Sequence, residues 1–151
     1  MKKTLIIISL ITSISLAVDV EKLPVLSLNQ DTLSFGQVIN VNQPTFIYLW
    51  ATWCHVCRKE MPKMIDFFQE QTDVNIIPIA YTDTPDKVNE FLSENDYNLN
   101  TFIDYTGEIF KEFEAKATPT VVILDQNNRM VFNGYKSIRT YKKILKRLNV
   151  K

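Results

Sequence analysis

An uncharged stretch from Thr4 to Val18, dominated by Leu, Ile and Ser, stands directly behind Met1-Lys2-Lys3. The rest of the chain alternates between strand and helix patterns. Pro24-Val25-Leu26-Ser27-Leu28 reads as an edge strand, Asn29-Gln30-Asp31 as a turn, and Leu33-Ser34-Phe35 as a second short strand. Asn42-Gln43-Pro44 punctuates, and Thr45 to Trp50 is a continuous apolar, aromatic and β-branched run of the kind buried on both faces of a sheet. The period then changes. From Cys54 to about Gln71, the residues Cys57, Met61, Met64, Ile65 and Phe68 recur at helical spacing as one apolar stripe. Pro62 falls inside this helix and is expected to kink it, because it lacks an N–H and crowds the preceding turn.

The alternation continues to the end. Val74 to Tyr81 predicts a strand, and Thr84 caps a helix from Pro85 to about Asn95 with Val88, Phe91 and Leu92 inside. Leu99 to Ile103 predicts a short strand and Thr106 to Phe113 a short helix. Pro119 to Leu124 and Arg129 to Tyr135 form a hairpin around Asp125-Gln126-Asn127-Asn128. Ile138 to Asn149 is a terminal helix with Tyr141, Ile144, Leu145 and Leu148 inside. Its Lys142, Lys143, Lys146 and Arg147 read as a solvated face, with a membrane-surface role as the alternative. Strand and helix alternating in this order predict an α/β sandwich. At 151 residues, with no repeat and no internal linker, one domain is expected over 24–151, behind a spacer at 18–23.

Charge narrows the function classes. Seventeen basic residues balance seventeen acidic ones, so nothing in the net charge suggests a nucleic-acid partner. The N-terminal run reads as an export signal: two lysines precede it, and Ser15-Leu16-Ala17 resembles a small-residue cleavage site. Residues 1–17 are expected to be cleaved, with retention as a membrane anchor as the alternative. The run is shorter than the ~20 residues of an unstrained span. Cleavage would remove Lys2 and Lys3 and leave fifteen basic against seventeen acidic residues. The expected location is the periplasm or the outer face of a bacterial membrane.

The chain has two cysteines, Cys54 and Cys57, three positions apart where the apolar run meets the helix. Exported chains live where disulfides persist. A staple closing so small a loop removes little unfolded-state entropy, which favours a redox pair over a structural bond. The same spacing lets one sulfur attack a foreign disulfide and the other resolve the mixed disulfide. At the start of a helix, the backbone N–H groups and dipole favour a thiolate on Cys54. Cys54 is therefore the expected exposed nucleophile and Cys57, on the stripe, the inward resolving thiol. His55 has two readings, a surface filler or an imidazolium that stabilises the thiolate and raises the reduction potential.

Trp50-Ala51-Thr52-Trp53-Cys54-His55-Val56-Cys57-Arg58, Glu60-Met61-Pro62 after it, Ala117-Thr118-Pro119-Thr120 and Gly134-Tyr135-Lys136-Ser137 together resemble the thioredoxin superfamily over roughly residues 24–150. The likeness is nearest to exported TlpA/ResA-like thiol–disulfide oxidoreductases, and within them to the suppressor-of-copper-sensitivity (ScsD-like) branch. It implies a thioredoxin-like three-layer α/β/α sandwich with a central mixed sheet. It also implies a cis bond at Thr118–Pro119, with Trp53, Thr118 and Pro119 contacting substrate. Cytoplasmic thioredoxins carry a buried Asp where this chain has Tyr48, and a phenol is a poor proton acceptor at neutral pH. Glu60, one turn beyond Cys57, is the expected substitute and the third catalytic residue, against the plainer reading of a solvated carboxylate. No cofactor or metal is expected. A copper site at Cys54, His55 and Cys57 lacks a further soft ligand. A non-catalytic thioredoxin-like interaction module is the remaining class. The expected partners are exported proteins with disulfides or thiols and a membrane-bound thiol electron donor, acting on a monomer. Reduction is the expected direction, with disulfide formation by the same cysteines as the alternative.

Overall fold

The computed structural model describes residues 22–40 and 42–148. The segment read as an export signal, most of the spacer and residues 149–151 lie outside the described residues. Among the described residues, seven strands form one mixed sheet in the order β2-β1-β5-β4-β3-β6-β7. They are β1 (Pro24–Leu26), β2 (Thr32–Ser34), β3 (Thr45–Trp50), β4 (Asn75–Tyr81), β5 (Phe102–Asp104), β6 (Thr120–Leu124) and β7 (Met130–Gly134). The helices are α1 (Phe35–Val38), α2 (His55–Gln69), α3 (Pro85–Glu94), α4 (Glu108–Glu112) and α5 (Ile138–Arg147). Among the described residues no helix is long and apolar enough to cross a membrane.

β3 lies at the heart of the sheet, parallel to β4 and antiparallel to β6, and all six of its residues are buried. Strand alternation sends Phe46, Tyr48 and Trp50 to one face and Ile47 and Leu49 to the other. The first face packs under α2, α3 and α5 and the second under α1 and α4, which gives three layers. Two parallel crossovers, β3–α2–β4 and β4–α3–β5, put α2 and α3 on the same face.

Three expectations need correction. β1 is not an edge strand: β2 pairs outside it and β5 inside it, so β2 takes the edge. Phe35 does not end a strand but opens α1, where Ser34 and Gln37 form a capping box. The buried stripe of α2 includes Phe67 while Ile65 is half-exposed, because the helix packs against α5 as well as the sheet; Phe67 meets Tyr141 of α5. Pro62 sits within α2, which runs through it as a single helix. α3 begins as expected, with Thr84 accepting from the Lys87 N–H.

Candidate active site

The site lies where β3 ends and α2 begins. Cys54 is the N-cap of α2, in extended backbone, and its sulfur accepts the Cys57 N–H at 3.1 Å. A sulfur thus takes the role usually played by a cap oxygen, satisfying one of the free N–H groups at the helix start. Cys54 and Cys57 are joined as a disulfide with their Cα atoms 5.2 Å apart. Cys57 faces the core with no exposed surface. The expectation that Cys54 is openly exposed fails: it is only 6% exposed. The reason is long-range. The Thr118–Pro119 bond is cis, and the Thr118 carbonyl oxygen sits 3.4 Å from the Cys54 sulfur, covering it from a loop 64 residues away in sequence. Thr118 itself is half-buried and the Pro119 ring is buried.

Around this narrow opening the surface is apolar. Trp53 is 59% exposed and Val56 46%. The Trp53 ring leans edge-on against Tyr81, which stacks on Phe110 at 4.0 Å. His55 is exposed at the first residue of α2. Arg58 lies over the Phe91 ring, 5.7 Å from its centre.

The residue that fixes the approach to the cysteines is one that sequence reasoning missed. The Asp83 carboxylate, nearly buried, accepts both the Thr52 N–H and the Thr52 hydroxyl at 2.8 Å. This ties the turn before Cys54 to the loop after β4. The sequence held one signal: an Asp placed between a buried strand and the Thr84 cap, too far from the helix to cap it. Trp50 is anchored similarly, its indole N–H donating to Thr101 at 3.2 Å.

Tyr48, the residue the resemblance sets in place of a buried Asp, belongs to the same core cluster as Cys54 and Cys57. It is wholly buried, and its hydroxyl has no hydrogen-bond partner. Burial pushes its ionisation well above the usual tyrosine range, with Tyr135, Tyr141 and Glu60 adding to the effect. Tyr48 therefore stays neutral at any working pH. Glu60 stands on α2, within electrostatic reach of both Tyr48 and Tyr135. Its side chain is 26% exposed and pairs with Lys63 at 3.7 Å. A cavity of about 300 Å³ opens beside it, lined by Met64, Tyr135 and Ile138 among others. The structure thus brings together Cys54, Cys57, Thr118 and Pro119, sets Trp53 and His55 on the rim, and places Glu60 one turn below.

A three-layer sandwich with a redox-competent cysteine pair capping its central helix and a cis-proline loop against one sulfur defines a thioredoxin-like protein. The AhpC/TSA family model matches residues 18–132, and the chain belongs to that family. It is 32% identical over 108 residues to a thioredoxin-like protein of Haemophilus influenzae, covering 72% of this chain and 64% of that one. It is 31% identical over 88 residues to the thiol-disulfide oxidoreductase ResA of Bacillus thuringiensis, covering 57% and 51%. The matches thus span between half and two-thirds of these relatives. Among solved structures, the exposed lipoprotein thioredoxin Etrx1 of Streptococcus pneumoniae superimposes with a TM-score of 0.70 at 16% identity, covering 82% of this chain and 97% of that one. StoA of Bacillus subtilis gives 0.65 at 20% identity, covering 82% and 97%. These two share the fold.

Proposed function

We propose that the protein is an exported thiol–disulfide oxidoreductase that reduces disulfides in extracytoplasmic proteins. The observation that carries this reading is the Cys54–Cys57 disulfide itself, placed as the cap of α2 and touched by the Thr118 carbonyl. In the reduced protein, the Cys54 thiolate attacks one sulfur of a substrate disulfide. A mixed disulfide forms and the other substrate sulfur leaves as a thiolate, which takes a proton. The Cys57 thiol gives up its proton, attacks Cys54 and releases the second substrate sulfur. Two electrons pass to the substrate, and the pair ends as the bond seen here. Glu60 is the proposed acceptor of the Cys57 proton, since Tyr48 cannot take it. Trp53 and Val56 offer apolar contact to the substrate chain, and Thr118 offers backbone beside it. A membrane-bound thiol donor would restore the dithiol. Export is supported by Lys2-Lys3 and the apolar run behind them.

The trapping experiment follows from the geometry. Cys57→Ser should accumulate mixed disulfides with substrates, while Cys54→Ser should form none and lose exchange to background. Faster alkylation of Cys57 than of Cys54 in the reduced protein would reverse the assignment. Direction is read in intact cells by alkylation and gel shift: a mostly reduced pair supports the reductase, and a mostly oxidised one the disulfide-forming alternative.

His55 is the proposed tuning residue. A protonated imidazole beside Cys54 favours the thiolate form, so His55→Gly should lower the reduction potential by about 30 mV. Equal potentials at pH 6 would leave the helix terminus alone to activate Cys54.

A further inference from the structure

The even balance of charge conceals a strong segregation. The chain after Asp125 holds eight of the seventeen basic residues and none of the seventeen acidic ones. α5 carries five of those cations and no acid. Arg139, Lys142, Lys143 and Lys146 recur at i, i+3, i+4 and i+7, so they form one stripe, opposite the buried Tyr141 and Leu145. A solvated helix face ordinarily mixes signs and gains from i,i+4 pairs; here Arg139–Lys143, Lys142–Lys146 and Lys143–Arg147 are like-charged at that spacing and repel. The helix dipole explains cations in the last turn, Lys146 and Arg147, but opposes Arg139 in the first. Among the described residues, Lys142 finds an acid, Glu70 of α2. Arg139, Lys143, Lys146 and Arg147 have none.

The stripe also frames a groove. Ile138 and the stems of Arg139, Lys142, Lys143 and Lys146 line a cavity of about 490 Å³ on the outer side of α5. Aliphatic stems around an apolar floor, with cationic heads at the rim, match the boundary between acyl chains and anionic headgroups. On the export reading proposed above, on which this inference rests, the Thr4–Val18 run brings the chain to a bilayer. The site would stay accessible. Lys142 meets Glu70 at the C-terminal end of α2, while the disulfide caps the opposite end of that fifteen-residue helix, about 22 Å away.

We infer that the outer face of α5 docks on an anionic phospholipid surface, holding the domain against the membrane with its disulfide free.

The test is lysine footprinting by acylation, on the full chain with phosphatidylcholine vesicles that contain or lack phosphatidylglycerol. Lys142, Lys143 and Lys146 should be labelled several-fold more slowly on the anionic vesicles, while the exposed Lys59 and Lys87 label equally on both. The protection should vanish at about 1 M salt, where the screening length falls to about 3 Å. The triple change Arg139→Gln, Lys143→Gln, Lys146→Gln touches only exposed side chains and should abolish the protection of Lys142, at about fivefold in surface affinity per cation removed. Equal labelling on the two vesicles overturns the inference. So does equal protection of Lys59 and Lys87, which would mean unlocalised attraction. Protection by soluble polyglutamate as strong as by vesicles also overturns it, and assigns the stripe to an acidic macromolecule in solution.

Discussion

The two faces of the sheet are built from the same strands but differ in chemistry. Under α2, α3 and α5 the core is aromatic: Phe46, Tyr48 and Trp50 of β3 meet Phe67, Phe68, Phe91 and Tyr141, with both sulfurs at one end. Under α1 and α4 it is largely aliphatic, with Ile47, Leu49, Ile77, Ile79, Val122 and Leu124 at its centre. Rings packed at angles leave places for polar tips: the Trp50 N–H reaches Thr101, and the Tyr141 hydroxyl accepts the Lys136 N–H at 2.7 Å. Branched aliphatics fill space and present nothing polar. One β-strand thus separates a face that handles chemistry from one that supplies stability.

That separation can be tested at adjacent residues. Ile47→Ala removes a fully buried side chain from the aliphatic face and should cost 2–5 kcal/mol, as a fall in the urea midpoint. The reduction potential of the disulfide should not move. A shifted potential in a folded Ile47→Ala protein would mean that the two faces are coupled through β3.

A second test concerns the one carboxylate sunk in the aliphatic side. Asp104 is 1% exposed and accepts the Phe110 N–H at 2.9 Å, at the start of α4. Burial raises its pKa above the ordinary carboxylate range, although the Phe110, Ile109, Gly107 and Glu108 N–H groups pull the other way. The sign follows from linkage. A raised folded pKa means that the fold prefers the protonated acid. That contribution is complete below the unfolded pKa and is lost as pH rises through the folded one. Asp104→Asn carries no such loss. Measured by urea unfolding at pH 4 and pH 7, the variant should gain on the wild type as pH rises. A constant difference would show that the α4 N–H groups compensate the burial in full.

What was legible in the sequence follows the range of the interactions involved. β3 was read to its last residue because every side chain from Thr45 to Trp50 is apolar or β-branched and the strand is buried on both sides. Local capping placed α3, and the cysteine spacing placed the redox pair. One error was local, since the Ser34–Gln37 capping box that turns Phe35 into helix lies within three residues; the others depend on distant partners. β1 looked like an edge because nothing within it shows that Thr32–Ser34 will pair outside it. Cys54 looked exposed because its cover is the Thr118 carbonyl. Asp83 escaped notice because its partner, Thr52, is 31 residues away. Phe67 was missed because a two-faced apolar helix needs a second helix, α5, to reveal its second face.

The smallest predicted effect bears on the chemical face and decides how Tyr48 should be understood. No protein group pairs the buried Tyr48 hydroxyl, and a buried hydroxyl without a protein partner is expected to cost stability. The ring is different: it packs at 5.8 Å against Phe68 within the aromatic core. Tyr48→Phe keeps the ring and deletes the orphaned oxygen. It should therefore raise stability by up to about 1 kcal/mol. Because burial keeps the phenol protonated throughout the working range, the change should also leave the pH profile of disulfide exchange intact. A lower urea midpoint would mean that the hydroxyl has a role in the folded protein beyond filling space. Unchanged stability with slower exchange would place the phenol in the proton path between Cys57 and Glu60, and the aromatic face would then contribute its own core residue to the reaction. The expected outcome, a slightly more stable protein with unaltered exchange, leaves proton handling to Glu60 and makes Tyr48 the point where the functional face accepts a small loss of stability.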